Sequence, residues 1–357
     1  MIKYTQQSFH KNCKFMFTSI YNRILNYCNS VYKSPSSKTV KKMKEESARW
    51  FIDLLQQRYS TGTSDSPCIH TGNKCIIIMV DNTIYNPGLA DKLRGILSIY
   101  SLCKEKHIDF KINWTYPFEL TEYMLPNKIN WIIEQEKIKY SLSDSKIVVI
   151  DTLPNIHASR QSIIDKKIFD DTVLNSQYLQ YHIYTNSIIH TQAFPNLFRP
   201  SEKLQSLIDL HHKNIGEKYV AASFRFLELL GDFKDSEGMD EMLPPREQKL
   251  LIEQCYIELK KFIDTLPEFY KILVTSDSER FLAKASTLPR TYIIPGKVIH
   301  IRYKTTDTSA YMKTFLDMFL LSGAESLVLF KTGKMYNSGF PRLASQIGNK
   351  PFKIHEF

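Results

Sequence analysis

The chain has 357 residues, 43% of them hydrophobic, 12% aromatic and 24% charged, a balance that excludes a disordered chain and supplies cores for about two domains. The net charge is +10, but residues 1–49 hold ten Lys/Arg against two Glu and so carry +8 of it. A body that is nearly neutral outside this arm excludes a basic nucleic-acid-binding surface as its main feature, so no nucleic-acid partner is expected.

Residues 1–60 read as helices with a loop between them. "FTSIYNRILNYCNSVY" places Phe17, Ile20, Tyr21, Ile24, Leu25 and Cys28 at helical spacing, and "SPSS" breaks the run. "SARWFIDLLQQRY" begins a second helix, with Ser47 as its cap. The basic arm is suited to an anionic membrane surface or an acidic partner. "STGTSDSPCIHTGN" then reads as a loop.

After this loop the rhythm changes. "KCIIIMV" is a short continuous apolar run, which fits a strand buried on both faces of a parallel sheet. "GLADKLRGILSIYSLCKEK" carries an apolar stripe and reads as a helix, and "DFKINW" as the next strand, giving a β-loop-α-β unit over 74–114. "SKIVVID" is another strand, and "SIIHTQ" is expected to be one more.

From about residue 205 a second alternation begins. Helices "SEKLQSLIDLHHKNIG", "PPREQKLLIEQCYIELKKFIDTL", "SERFLAKAS", "SAYMKTFLDMFLLSGA" and "SGFPRLASQIG" lead in turn to "YVAASFRF", "YKILVTSD", "TYIIPG", "SLVLF" and the tail "PFKIHEF". Repeated β/α order predicts a second parallel α/β domain. The expected division is a basic helical extension over 1–70, a first α/β domain over 71–204 and a second over 205–357.

Six cysteines without a C-x-x-C pair or a neighbouring His cluster argue against zinc and redox motifs, and for reduced thiols in a cytoplasmic protein. No run reaches the roughly 18 apolar residues of a spanning helix, since Asp317 and Glu325 interrupt the longest. "HH" at 211–212 lies on a helix, where adjacent side chains face apart, so no shared metal is expected.

In open α/β sheets, ligands bind at the carboxyl ends of strands. Four such places carry useful chemistry here. Gly88 lets backbone approach a phosphate, beside free N–H groups of the following helix. Arg225 ends a strand and can fork onto a diphosphate through two parallel hydrogen bonds. Asp277 can accept from the N–H groups of a base. Ser338 can cap a helix and also bond an oxyanion. His300 follows "IIPGKVI" at another strand end. The four places are expected to converge on one cleft.

Taken together, "GLADKLRGIL", "SFRF…GDF", "VTSDSERFL" and "KTFLDMFLLSGA…MYNSGFPRLASQIGNKPF" resemble the fucosyltransferase superfamily over about residues 75–357. That group contains the nodulation, core α1,6 and protein O-fucosyltransferases, with bacterial relatives in surface-polysaccharide synthesis. The resemblance implies a GT-B fold: two Rossmann-like domains facing a cleft, the nucleotide-sugar held mainly by the C-terminal one. By position, Arg225 resembles the arginine that grips the donor diphosphate, and Asp277 the acidic residue that reads guanine. Ser338, Gly339 and Phe340 resemble the segment beside the phosphates and base, and Gly88–Arg94 the glycine loop. Ser223 stands where the family's mid-chain His does, and Gly231-Asp232 lies further from the arginine than the family's Gly-Asp.

The resemblance implies a metal-independent glycosyltransferase moving fucose from GDP-fucose to a glycan or lipid-linked oligosaccharide acceptor; the reduced thiols and the basic arm point to a cytoplasmic place, peripheral at the inner face of the membrane. No Asp-x-Asp occurs in the chain, so Arg225 and a helix N-terminus are expected to replace a metal, with no cofactor needed. Asp91, Glu228 and Asp232 are candidates for the base that deprotonates the acceptor, and Asp232 is alternatively an orienting group for Arg225 or a simple cap. The competing reading is an inactive Rossmann-like scaffold, or transfer from another nucleotide-sugar.

Overall fold

The computed structural model describes residues 58–59, 73–81, 88–141, 144–150, 178–185, 193–233, 242–301 and 304–357. The expected helices of the basic arm before residue 58, the loop at 60–72 and the strand "SIIHTQ" lie outside the described residues. So do His190, Cys13, Cys28 and Cys68. The chain divides into two compact units: residues 1–87, 92–116 and 131–190, and residues 88–91, 117–130 and 191–357. Each is α/β with a parallel sheet, as the sequence predicts.

The first unit is built on four parallel strands in the order β2-β1-β5-β4. They are β1 (Cys75–Val80), β2 (Asp109–Trp114), β4 (Ser145–Ile150) and β5 (Gln180–Thr185). Helix α1 (Leu89–Lys106) connects β1 to β2. Ile76, Ile77, Ile78 and Met79 are all buried, which is why β1 reads as an unbroken apolar run. Gly95 is required here: a Cβ on it would lie 2.7 Å from Thr185 Cγ2, so only glycine lets α1 approach the end of β5 this closely.

β5 was not legible as a strand. "QYHIYT" alternates polar and apolar, and its polar face is matched by distant partners. His182 is fully buried; its Nε2–H donates to Gln180 Oε1 at 3.3 Å, and its Nδ1 accepts from the Tyr59 hydroxyl at 2.5 Å. Burial, and to a lesser extent the nearby Arg58 charge, lowers the His182 pKa to about 3. Tyr59 is 2% exposed and packs its ring near Tyr140 and His182. Arg58 and Tyr59, expected within a separate extension, are therefore part of this unit's packing.

The second unit holds five parallel strands in the order β11-β10-β7-β8-β9. They are β7 (Tyr219–Phe224), β8 (Lys271–Ser276), β9 (Thr291–Tyr292), β10 (Leu327–Lys331) and β11 (Phe352–Glu356). In order of appearance this is 3-2-1-4-5 read from the β9 edge, the dinucleotide-binding order, with its switch point between β7 and β10. The expected strand "TYIIPG" shrinks to two residues, and the tail "PFKIHEF" forms β11 at the sheet edge. A short antiparallel pair, β3 (Met124–Pro126) with β6 (Phe198–Pro200), was also missed, each being only three residues long.

Helices α3 (Glu202–Ile215), α4 (Pro245–Thr265), α5 (Glu279–Ala285), α6 (Ser309–Gly323) and α7 (Gly339–Gly348) follow the sequence-predicted spans; one short turn, α2 (Phe194–Leu197), precedes β6. Helix α6, at 15 residues, is too short to span a membrane, and no helix among the described residues is long and apolar enough to do so. Its Lys313 and Asp317 form a buried pair one turn apart, Nζ to Oδ2 at 2.8 Å. Stacked aromatics lock the strand ends. Phe224, the last residue of β7, lies parallel to Phe330 of β10 with ring centroids 4.8 Å apart, and 4.4 Å from Phe281 of α5.

Candidate active site at the carboxyl edge of the second sheet

The segment "SFRF" explains the aim of Arg225. Phe224 and Phe226 are each at most 1% exposed and both pack on Phe281. Between two core residues, Arg225 is left to the opposite side, where its side chain keeps 19% exposure. The guanidinium lies over the Phe233 ring at 4.4 Å, a cation–π contact that fixes its plane.

Behind it stands Asp277, at the carboxyl end of the neighbouring strand β8. Its side chain has no exposure. Oδ1 accepts from the Phe226 N–H at 2.9 Å, and Oδ2 from the Leu227 N–H at 2.7 Å and lies 3.4 Å from Arg225 Nε. Burial raises the Asp277 carboxyl pKa, and Arg225 with the two N–H groups opposes that rise. Asp277 was expected to read a base. In the structure its carboxylate has no exposure and is engaged by the chain's own backbone and by Arg225, an arrangement suited to holding Arg225 in place.

The same bonds hold a strained turn. Leu227 has φ +54°, a left-handed conformation that costs a non-glycine residue on the order of 1–3 kcal/mol and needs local support. The chain then runs through a 3-10 turn, Leu227–Leu230, to Gly231 at φ +75°, where glycine is the natural residue.

Asp232 comes next and was a candidate base. Its Oδ2 accepts from Ser278 Oγ at 2.7 Å and from the Arg280 N–H at 3.1 Å. Its Oδ1 is buried, without a hydrogen-bond partner among the described residues. Asp232, half-buried, thus caps the start of α5 through Oδ2. Ser278 is the cap residue of that helix, accepting from the Phe281 N–H at 3.1 Å. Arg280 closes the strap by donating to the Leu230 carbonyl at 2.9 Å. "RFLELLGD" and "SDSER", two separate motifs in sequence, are thus one interlocked structure.

On the other side of β7 lies the switch point. The Arg225 carbonyl accepts from the Tyr336 N–H at 3.0 Å, tying the end of β7 to the loop that follows β10. That loop ends at Ser338, the cap of α7, whose Oγ accepts from the Phe340 N–H at 3.3 Å. Ser338 is 7% exposed, while Gly339 and Phe340 are half-buried in the first turn. The end of β7 that carries Arg225 is therefore tied to the loop that leads into α7, at the switch point between β7 and β10 where open α/β sheets commonly bind ligands.

Gly88 and His300 also come together. A Cβ on Gly88 would lie 3.5 Å from His300 Nε2, ordinary contact distance, so this glycine is not sterically required. Asp91 sits in the first turn of α1, where its charge suits the helix dipole, and is half-buried like Glu228. Among the described residues no group of three or more His, Cys, Asp or Glu is arranged to hold a metal. The positioning role of Asp277 was invisible in sequence because its partners lie about fifty residues away; the Ser-Asp-Ser-Glu cap pattern was the available signal.

No family model matches the chain, and no curated protein matches it in sequence. Solved structures with a related chain course include a NodZ alpha-1,6-fucosyltransferase soaked with GDP-fucose, at TM-score 0.48 and 16% identity over 77% of this chain and 93% of that one. A fucosyltransferase NodZ from Bradyrhizobium is similar at TM-score 0.46 and 13% identity, over 77% and 92% of the two chains. POFUT1 in complex with GDP-fucose is similar at TM-score 0.40 and 8% identity, over 81% and 99%.

Proposed function

We propose that this chain is a glycosyltransferase that binds a nucleotide-diphosphate sugar, GDP-fucose by its motifs, at the carboxyl edge of the second sheet. The observation that carries this reading is Arg225: a half-buried guanidinium at the β7–β10 switch point, backed by Asp277, at a strand end bonded to the loop that leads into α7. The motifs of residues 75–357 supply the donor class.

The chemistry follows from charge. The bond between the sugar's C1 and the diphosphate oxygen breaks, and its electron pair leaves with GDP. Arg225 and the N–H groups at the start of α7 stabilise that charge; a preorganised donor of this kind typically contributes about 10²–10³ in rate. An acceptor hydroxyl of a glycan bonds to C1 and gives its proton to a base, for which Asp91 and Glu228 remain as candidates. With no Asp-x-Asp to bridge a cation to the diphosphate, donor binding runs without a metal in this reading.

Thermal unfolding of the full chain in excess chelator tests it. GDP should raise the melting temperature while UDP and CDP do not, since a ligand bound only by the native state stabilises it by mass action. GDP-fucose should then be consumed when a glycan acceptor is supplied. Stabilisation by UDP alone, or by no nucleotide, overturns the assignment.

A further inference from the structure

We propose that the ring of Tyr336 is the face on which the donor's nucleobase stacks. The inference rests on the reading of this edge as a nucleotide-diphosphate site and deepens it.

The loop between β10 and α7 is held at three points. The Met335 N–H donates to the Thr332 carbonyl at 3.0 Å, the Tyr336 N–H to the Arg225 carbonyl at 3.0 Å, and the Ser338 N–H to the Tyr336 carbonyl at 2.9 Å. Met335 is anchored in the core, 2% exposed, with its sulfur 3.7 Å from Cys255 Sγ. The next side chain goes the other way: Tyr336 is 51% exposed. A bulky aromatic is thus carried on backbone bonded directly to Arg225 on one side and to the α7 cap on the other.

Nine large hydrophobic side chains are exposed among the described residues, and two of them are aromatic, Phe269 and Tyr336. Phe269 precedes β8 and so lies at the amino end of the sheet; Lys218 Nζ sits 5.5 Å from its ring centroid. Tyr336 is the one at the carboxyl edge, at the switch point. A flat, rigid ring that loses few rotamers on binding is suited to a planar ligand. Every nucleobase offers such a face, and stacking needs no matched hydrogen bonds. In this arrangement Arg225 and α7 take the diphosphate and Tyr336 takes the base, so base affinity and phosphate affinity reside in different side chains.

Calorimetric titration of the full chain with GDP, GDP-fucose and inorganic pyrophosphate tests this, using Tyr336→Ala and Tyr336→Phe. Tyr336→Ala should weaken GDP and GDP-fucose alike by about tenfold or more, and Tyr336→Phe should stay within about twofold, because the phenyl ring keeps the stacking face. Pyrophosphate affinity should not change in either variant. Unchanged GDP affinity in Tyr336→Ala overturns the proposal. So does a loss confined to GDP-fucose, which would place the ring under the sugar, or an equal loss for pyrophosphate, which would mean that the loop itself had collapsed. Absence of any nucleotide binding by the unaltered chain overturns the functional reading first, and this inference with it.

Discussion

The two parallel sheets treat their switch points in opposite ways. In the first unit the order β2-β1-β5-β4 puts that point between β1 and β5. There the chain fills the edge with its own side chains. Asp81, which follows β1 and whose side chain has no exposure, pairs with Arg58 Nη1 at 3.1 Å. The Tyr184 hydroxyl, from β5, reaches Asp81 Oδ2 at 3.5 Å. Arg58 Nη2 donates to the Tyr140 hydroxyl at 2.9 Å, and Asn113 Nδ2 to the same hydroxyl at 3.3 Å. In the second unit the equivalent edge keeps a guanidinium and an aromatic ring partly in solvent, and spends its buried carboxylate on aiming the guanidinium. The same sheet architecture has buried, paired side chains at this point in one unit and partly exposed ones in the other. The difference lies in how much of the polar side chains at the strand ends the chain itself covers.

The sealed edge is the place to break first. Arg58→Met removes the cation beside Asp81. Losing one partner of a buried pair costs about 3–5 kcal/mol, and with Arg58 side-chain exposure at 34% the expected loss is about 2–3 kcal/mol. Urea unfolding should show this as a lower midpoint at an unchanged slope. An unchanged midpoint would mean that the first edge is not sealed by this pair.

Acid probes the same unit. The unfolded chain protonates His182 near its ordinary value of about 6.5, the native chain only near 3. Between these values the unfolded state holds more protons, so stability is full above about 6.5 and falls as the pH drops towards 3. His182→Gln should flatten that part of the stability profile. A profile equally steep with glutamine would assign the acid loss elsewhere.

In the open edge, Asp232→Ala removes a helix-start acceptor at α5. The expected cost is about 1 kcal/mol, typical of a lost cap. Donor turnover, per folded molecule, should fall only modestly, because the residue holds the loop and touches no reacting atom. A loss of turnover as large as that of an Arg225 variant would restore Asp232 as a catalytic group.

Most helices and the long strands were legible because continuous apolar runs and capped amphipathic stretches have strong local signals. The places of Arg225 just after a strand and of Ser338 at a helix start were legible too, because the elements that carry them have strong local signals. Three things were not. β5 carries Gln180, His182 and Tyr184 on one face, a pattern that makes sense only once Tyr59, Lys137 and Asp81 are beside it. The tasks of Asp277 and Asp232 depend on bonds across about fifty residues, which no local pattern encodes. Arg225→Ala would remove the charge beside the buried Asp277 and so affect stability as well as any ligand.

The lysine variant therefore carries the decisive test. Arg225→Lys keeps a positive charge near Asp277 and loses the planar fork. Melting temperature and turnover of GDP-fucose should be measured on the same preparations, in the presence of chelator. The account predicts a melting temperature close to that of the unaltered chain and turnover lower by at least about 10²-fold. Near-native turnover, or a turnover loss fully explained by unfolding, would contradict the assignment of Arg225 as the diphosphate grip.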